Sequence, residues 1–330
     1  MSNAINILSR RSVERYNLQI KQYRGIVIGA ACGDALGMPT ELMPRPQIIK
    51  LYGGRVDRFY PKSDGKLKAG QWTDDTLLTL ATIDSLIEKQ GLSPVDIASK
   101  IAYAFKNEQV RGFGQATISA ATRLLRGHKW NDCGFNGELA AGNGAAMRIY
   151  PIALFSYADF DQLKRNCELV AAITHNNQEA INGSLAVAYI IARIINATFD
   201  KNNILKDVIS FIGKSKMQEK LNDVSIVLND SSISFEEALE LLGTRGSVFE
   251  TVGSSVYIFL KFLDSFKEAL VHSVSYGGDA DTIGTIVGAI SGAYHGIEAI
   301  PQEWVNGVEK SEELLKKAEQ LYKVSHGIQI

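Results

Sequence analysis

The chain has few cysteines and little net charge. Its 330 residues contain three cysteines, Cys32, Cys133 and Cys167, and the formal net charge is −1. An odd cysteine count without a Cys-x-x-Cys pair argues against a disulfide framework and against a zinc site. No Lys/Arg stripe with interleaved aromatic residues occurs, so we expect no nucleic-acid partner. Together these features predict a cytoplasmic, reducing location.

Long hydrophobic runs are also missing. The apolar stretch 25–36 follows basic residues, as in a signal peptide, but it contains Asp34 and is shorter than the roughly 20 residues that cross a bilayer. We therefore expect no membrane partner. Strand-like alternation is scarce, whereas helical periodicity is frequent. With 45% hydrophobic residues and no visible linker, the sequence predicts an all-α fold in one compact domain.

Apolar residues at three-to-four spacing mark the individual helices. The predicted helices include 77–87, 96–106, 115–126, 162–173, 185–195, 204–221, 235–242, 255–271 and 311–324. Glycine-bearing loops are predicted at 51–72, 107–114, 127–146 and 272–280, and long loops between rigid helices often carry functional residues. Residues 1–21 are basic and polar, and we interpret them as an N-terminal extension of a helical domain at 22–330.

Glycines recur every four residues in two of the apolar segments. The first series is Gly25, Gly29, Gly33 and Gly37, and the second is Gly284, Gly288 and Gly292. Such spacing places each series along one helix face. Because glycine costs about 1 kcal/mol relative to alanine inside a helix, two such series indicate compensating close contact between helix backbones.

Two acid-rich segments about 200 residues apart each open an apolar helical run. They are GQWTDDT at 70–76 and GGDADT at 277–282. Helix capping explains a polar residue before a helix and an acid in its first turn, but it requires no doubling of the acids. Four carboxylates brought together repel one another, whereas two divalent cations balance their charge. The pattern thus predicts a dinuclear metal site, with Asp279 and Asp281 on one side of an extended entry into the second helix.

Three further segments carry candidate residues. Asp34 lies in an apolar helix and needs a hydrogen-bond partner, whereas Glu41 follows Pro39 on a loop, either as a general acid or base or as a solvated surface residue. The glycines around Asn143 leave backbone N–H groups free to approach a phosphate. Before a long apolar helix, Thr174 or Asn176 is the expected N-cap.

Five segments, taken in order, resemble the ADP-ribosylglycohydrolase family. They are GDALGMPTE at 33–41, GQWTDDT at 70–76, GNGAAMR at 142–148, THNNQEAINGS at 174–184 and GGDADTIGTIVGAISGAYHG at 277–296. The resemblance covers roughly residues 22–305. It implies an all-helical fold with a cleft for ADP-ribose. It also implies hydrolysis of the glycosidic bond between ADP-ribose and a protein side chain.

The resemblance also implies the roles of individual residues. Two Mg²⁺ or Mn²⁺ ions would be held by Thr73, Asp74, Asp75, Asp279, Asp281 and Thr282. The catalytic residues would be Glu41, Asp75 and Asp281, and the substrate-binding residues Gly142, Asn143, Gly144 and His175. The chain departs from the family at 139–141, where Leu-Ala-Ala replaces small polar or aromatic residues, so phosphate contacts there would come from backbone N–H groups.

Several functions stay open at this point. Arginine-linked ADP-ribose on a protein is the preferred substrate, with serine-linked, O-acetyl or polymeric ADP-ribose as alternatives. A different class is an immunity protein that binds a cognate ADP-ribosyltransferase toxin through residues 1–21. A third possibility is a Mg²⁺-dependent phosphohydrolase acting on free nucleotides, which would share the metal centre but release AMP or phosphate.

Overall fold

Helices form nearly all of the regular structure. The computed structural model describes residues 2–137 and 140–328, with the side chains of residues 2–14 and 109 left out. Within these ranges there are sixteen α-helices and no β-strand, only two isolated β-bridges. The helices are α1 Ser2–Gly37, α2 Arg45–Tyr52, α3 Asp74–Lys89, α4 Pro94–Asn107, α5 Gln115–Leu125, α6 Tyr150–Ser156, α7 Phe160–Ala172, α8 Gln178–Ile195, α9 Ile204–Ile212, α10 Lys216–Asn229, α11 Phe235–Leu242, α12 Val248–Lys261, α13 Phe266–Val274, α14 Ala280–His295, α15 Gln302–Gly307 and α16 Ser311–Ser325. The all-α prediction is confirmed.

The two glycine series meet at the centre of the molecule. Helices α1 and α14 run antiparallel, and a Cβ atom added at Gly29 would collide with the backbone of Gly288. The same holds for Gly33 against Gly284 and for Gly25 against Gly292. The predicted close contact between helix backbones is confirmed.

The other helices surround this pair. Helices α8, α12 and α13 pack on α14, while α16 and the start of α3 pack on α1. One hydrophobic cluster includes buried residues from α1 to α16, so the described residues share a single core. Because α3 and α14 both begin beside the C-terminal part of α1, their N-termini lie close together.

Two predicted helices are wrong in extent. The segment 204–221 is two helices, because Gly213 adopts φ +77° and ends α9 before Ser215 caps α10. The segment 255–271 is also two helices, since α12 ends at Lys261 and Ser265 caps α13. In both cases a local cap replaces the continuous apolar periodicity that the sequence displays.

Helix α1 passes without interruption through the predicted boundary at residues 21 and 22. Before that boundary, Gln19 is buried and its Nε2 donates to the Tyr157 hydroxyl at 3.2 Å.

Among the described residues no single helix has the length and apolar character to cross a membrane. One pair, Arg15–Thr40 with Arg45–Tyr52, has both when taken together but is bent by 98° at its break.

Candidate active site

The acid-rich segment 70–76, here called the first acidic signature, is held in place by Asp34 of α1. The Asp34 carboxylate accepts hydrogen bonds from the backbone N–H and hydroxyl of Thr73 at 2.8 Å each, and from those of Thr76 at 2.9 and 2.6 Å. Thr73 is the N-cap of α3 by position, but its side chain caps no N–H group of that helix. Asp34 therefore caps α3 from a neighbouring helix, and the doubled acids Asp74 and Asp75 are free for another role.

The acid-rich segment 277–282, the second acidic signature, leads into α14 through two glycines in the left-handed conformation. Gly277 and Gly278 have φ of +96° and +72°, and a side chain at Gly278 would collide with Thr244. Asp279 then adopts φ −86° and ψ 63°, and α14 begins at Ala280. The prediction of an extended entry is wrong, because the turn is made before Asp279 and Asp281 already lies in the first helical turn. Asp279 does not cap its helix by its side chain either.

Both signatures nevertheless open on one cavity. Its volume is about 320 Å³. The lining residues include Glu41, Asp74, Asp75, Gly142, Asn143, Gly144, His175, Asp279, Asp281 and Thr282. Thr73 lies behind this surface, with its hydroxyl 3.3 Å from the Asp75 carboxylate. The fold thus brings together segments from five parts of the chain that the sequence analysis singled out separately.

Burial and mutual repulsion disfavour the charged forms of the acids at this cavity. Burial, and then the charges of Asp34 and Asp74, raise the pKa of Asp75 well above its usual range. Burial also raises the pKa of Asp74 and of Asp281, with the Glu41 charge contributing to both. For Asp34, burial raises the pKa to about 6 against the lowering effect of its four donors. Carboxylates gathered in this way are stabilised by a cation.

The donor set fits divalent cations. Its atoms are carboxylate and hydroxyl oxygens, the ligands that Mg²⁺ and Mn²⁺ prefer. Asp75 Oδ1 is buried without a hydrogen-bond partner among the described residues, and the Thr282 hydroxyl lies 3.5 Å from Oδ2 of the same side chain. No group of three or more His, Cys, Asp or Glu side chains in the described ranges has ready metal-binding geometry.

The glycine loop, residues 142–144, and His175 also line the cavity. Two backbone hydrogen bonds fix the loop and the chain before it. Phe135 N–H donates to the Thr174 carbonyl at 2.9 Å, and Asn143 N–H donates to the Gly246 carbonyl at 3.2 Å. A Cβ atom at Gly144 would lie only 2.7 Å from the His175 ring. The N-cap of the next helix is Asn177, not Thr174 or Asn176 as predicted. Leu139 lies outside the described residues, while Ala140 lines the cavity.

Asn143 reaches the acidic cluster with its side chain. Its Nδ2 donates to Asp279 Oδ2 at 2.7 Å and to the Thr251 hydroxyl at 2.9 Å. The amide therefore orients one of the predicted metal ligands, in addition to any contact that its backbone makes. This link ties the glycine loop to the second acidic signature.

Glu41 stands at the mouth of the cavity with a basic partner. Lys62 Nζ lies 2.9 Å from Glu41 Oε2, and both side chains are about a quarter exposed. The next residue, Leu42, has φ +58°, an uncommon conformation for leucine, and its N–H donates to the Gly278 carbonyl at 2.7 Å. The Glu41 loop is thus attached to the second signature, and the position of the acid depends on both.

A buried ion pair supports the residue before Thr73. The Arg111 guanidinium lies 4.1 Å from the Trp72 ring centroid, donates to the Trp72 carbonyl at 2.7 Å and pairs with Glu309 at 2.8 Å. Trp72 itself is buried. Nothing in the local sequence around Arg111 or Glu309 indicates a contact between residues so distant in the chain, so neither was predicted.

Other wall residues were also missed. They are Gly112, Gly114, Gln115, Ala116, Thr117, Phe135, Met147 and Gly246. The predicted loop at 107–114 was the only sequence signal near the first of these. Phe135 is 41% exposed beside the glycine loop, so its ring offers a stacking surface for a base.

Comparison with known proteins assigns the fold and the site to a family. The ADP-ribosylglycohydrolase family model matches residues 15–329. The chain belongs to this family. The match begins seven residues before the predicted domain start at 22, within α1. All five motifs on which the resemblance was based lie inside the matched range.

Relatives and a solved structure extend over most of the chain. An uncharacterised protein of Archaeoglobus fulgidus is 34% identical, covering 92% of this chain and 97% of its own length. The human ADP-ribosylhydrolase ARH3 is 28% identical, covering 92% and 94%. A solved ADP-ribosylglycohydrolase-related protein complex has a TM-score of 0.77 at 25% identity, covering 94% of this chain and 99% of that one. The chain is therefore an ADP-ribosylhydrolase, a hydrolase of a glycosidic bond of ADP-ribose.

Proposed function

We propose that this ADP-ribosylhydrolase releases ADP-ribose from arginine side chains of modified proteins with the help of two divalent cations. The observation that carries the proposal is the single cavity on which both acidic signatures, Glu41 and the glycine loop open. Its volume of about 320 Å³ suits part of a nucleotide-sized ligand. One end is acidic and the other is made of glycine backbone, His175 and Phe135.

The acidic end would hold Mg²⁺ or Mn²⁺. The candidate ligands are Thr73, Asp74, Asp75, Asp279, Asp281 and Thr282. Cations bound there would orient the hydroxyls of the ribose next to the scissile bond and favour attack by water on its anomeric carbon. Asp34 contributes by accepting a hydrogen bond from the Thr73 hydroxyl, which leaves the oxygen lone pairs of Thr73 available to a cation.

Glu41 is the proposed proton donor or stabiliser for the leaving side chain. It lies on the cavity surface while the metal aspartates lie deeper, and Lys62 holds it at the mouth. Asp75 and Asp281 are the alternative candidates for this role, because each lines the same cavity. As the glycosidic bond breaks, positive charge develops on the ribose, and the nearby carboxylates stabilise it.

The charge of the cavity favours a cationic acceptor. Its lining contains Glu41 and four aspartates, and among the described lining residues there is no lysine or arginine. Two bound cations would balance the four aspartates, so Glu41 would be the remaining acid of the lining. The guanidinium of an ADP-ribosylated arginine would meet Glu41 favourably, whereas a serine-linked substrate gains no such attraction. This complementarity is the reason for choosing arginine over the other acceptors.

The adenosine and diphosphate would lie along the glycine loop. Ala140 and Ala141 offer no side-chain donors, so backbone N–H groups would contact the phosphates. The N–H groups of Ala140 and Asn143 already donate to carbonyls, which leaves those of Gly142 and Gly144 for this role. Phe135 would stack on the adenine. An ADP-ribosylated protein as substrate, a cognate transferase as partner of residues 1–21, and a cytoplasmic location stay predictions.

Product analysis on three matched substrates tests the proposal. Peptides carrying ADP-ribose on arginine, serine or glutamate would be incubated with the protein, with Mg²⁺ or with a chelator, and the products separated. We expect free ADP-ribose from the arginine-linked peptide at least about tenfold faster than from the other two, corresponding to about 1.4 kcal/mol of preference. We also expect loss of that activity in chelator.

Each other outcome has a distinct meaning. Faster release from serine would refute the arginine preference while leaving the hydrolase assignment intact. Undiminished release in chelator would refute the role of the cations. Formation of AMP or phosphate in place of ADP-ribose would indicate the phosphohydrolase considered from the sequence.

A further inference from the structure

Arg148 is a buried cation surrounded by neutral acceptors. It is fully buried directly after the glycine loop, and its guanidinium donates to the Gly144 carbonyl at 3.1 Å, the Val170 carbonyl at 3.2 Å and the Thr174 hydroxyl at 2.7 Å. Burial lowers its pKa to about 10, so it stays charged at neutral pH. Burying a charge without a carboxylate partner is costly, and such a cost is usually tolerated where it serves a function.

The hydrogen bonds of Thr174 have a defined direction. Since a guanidinium only donates, the Thr174 oxygen must accept from Arg148. The same oxygen lies 2.8 Å from His175 Nδ1, and it has no third hydrogen-bond partner among the described residues. If Nδ1 carried the proton, the Thr174 hydroxyl would accept twice and its own proton would have no acceptor in a buried site, which is unfavourable. The hydroxyl therefore donates to Nδ1.

This direction determines the state of the His175 ring. A neutral imidazole whose Nδ1 accepts a hydrogen bond carries its proton on Nε2. Burial, followed by the nearby Arg148 charge, lowers the pKa of His175 to about 3, so the ring is neutral at physiological pH. The chain of contacts from Arg148 through Thr174 thus leaves one N–H group on the far side of the ring.

Nε2 faces the glycine loop. A Cβ atom at Gly144 would lie 3.1 Å from Nε2 and one at Gly142 would lie 3.3 Å away, and both glycines line the active-site cavity with His175. Among the described residues no acceptor pairs with Nε2. Any side chain at Gly144 would press on the ring and reduce access to this N–H group.

We propose that Arg148 and Thr174 are positioning residues that fix His175 as a neutral ring protonated on Nε2, so that the cavity presents one N–H donor to an acceptor atom of bound ADP-ribose. The part of this inference that concerns ADP-ribose rests on the proposed function of the cavity. The part that concerns the tautomer is a property of the ligand-free protein. A ligand with a donor in place of that acceptor would be disfavoured, so this arrangement contributes to specificity.

Nitrogen NMR of the histidine rings tests the tautomer directly. The His175 signals in the ligand-free protein are identified by their absence from a His175→Gln variant. We expect Nε2 to be protonated and Nδ1 unprotonated in the wild type. Thr174→Val removes the hydroxyl with little change of shape and is expected to give a mixture of tautomers, whereas Thr174→Ser, which keeps the hydroxyl, is expected to restore the single state.

Binding of ADP-ribose supplies the second readout. Thr174→Val is expected to weaken ADP-ribose binding about tenfold, the effect of one misdirected hydrogen bond, and to raise KM more than it lowers kcat. Thr174→Ser is expected to restore most of the affinity. Protonation of Nδ1 in the wild type, or an unchanged tautomer and affinity in Thr174→Val, would overturn the inference. Because the NMR result requires neither ligand nor turnover, failure of the proposed hydrolysis alone would leave the Nε2–H tautomer standing.

Discussion

Replacing Asp281 with asparagine is expected to lower kcat for release of ADP-ribose by at least about 10³-fold. Asparagine keeps the size of the side chain but removes the charge that binds a cation, and cation binding contributes several kcal/mol to stabilising charge in the transition state. Each 1.4 kcal/mol corresponds to about a factor of ten in rate. Initial rates at saturating substrate and Mg²⁺ provide the measurement. Asp264→Asn, an exposed substitution on the loop between α12 and α13, is the matched control and should retain the wild-type rate.

The same substitution is expected to stabilise the chelator-treated protein at neutral pH. The pKa of Asp281 is raised in the folded state by burial and by neighbouring carboxylates. The folded state therefore loses stability by an amount that is absent at low pH and grows as the pH rises from the usual carboxyl range to this raised pKa. Asparagine does not ionise, so the variant avoids this loss. A variant that lost both activity and stability would instead mark Asp281 as a structural residue.

Replacing Gly288 with leucine is expected to abolish folding. The Cβ atom of any side chain there would overlap the backbone of Gly29 and Ala30, and neither helix can move away without separating the whole α1–α14 contact. Overpacking by small groups already costs about 1–3 kcal/mol, and a leucine against a backbone exceeds that, whereas total stabilities are about 5–15 kcal/mol. Soluble yield and thermal unfolding followed by circular dichroism measure the effect.

Two glycine-to-alanine substitutions, each of which adds one methyl group, provide the control for that prediction. Gly288→Ala is expected to lower the free energy of unfolding although alanine favours a helix by about 1 kcal/mol. Gly91→Ala, where the nearest atom to the added Cβ is 3.8 Å away, is expected to be close to neutral. Equal stability of the two alanine variants would show that the α1–α14 backbones are not in close contact.

The sequence predicted the structure best at positions where a residue type is favourable in only a few structural settings. Glycines every four residues predicted the backbone contact of α1 and α14 because a helix accepts them only with compensation. Doubled aspartates predicted a shared site because capping needs no second acid. Asp34 was predicted to need a partner, although its four donors from Thr73 and Thr76 could not be named, since they depend on how the helices cross.

Features that depend on distant contacts could not be predicted. Lys62 beside Glu41 and Glu309 beside Arg111 are joined by the tertiary fold and have no local signature. The helix ends at Gly213 and Phe262 were missed because apolar periodicity continues across them. The turn before Asp279 was predicted as extended, but two left-handed glycines and the contact with Thr244 determine it instead.

A Mn²⁺ titration of the chelator-treated 330-residue chain, with bound ions counted per chain, tests most directly whether the two acidic signatures form one metal centre. We expect two bound ions for the wild type and fewer for Asp281→Asn, with recovery of ADP-ribose release as the wild-type sites fill. Absence of Mn²⁺ and Mg²⁺ binding by the wild type, or full activity before any ion is bound, would contradict the proposal that the two acidic signatures form one dinuclear centre.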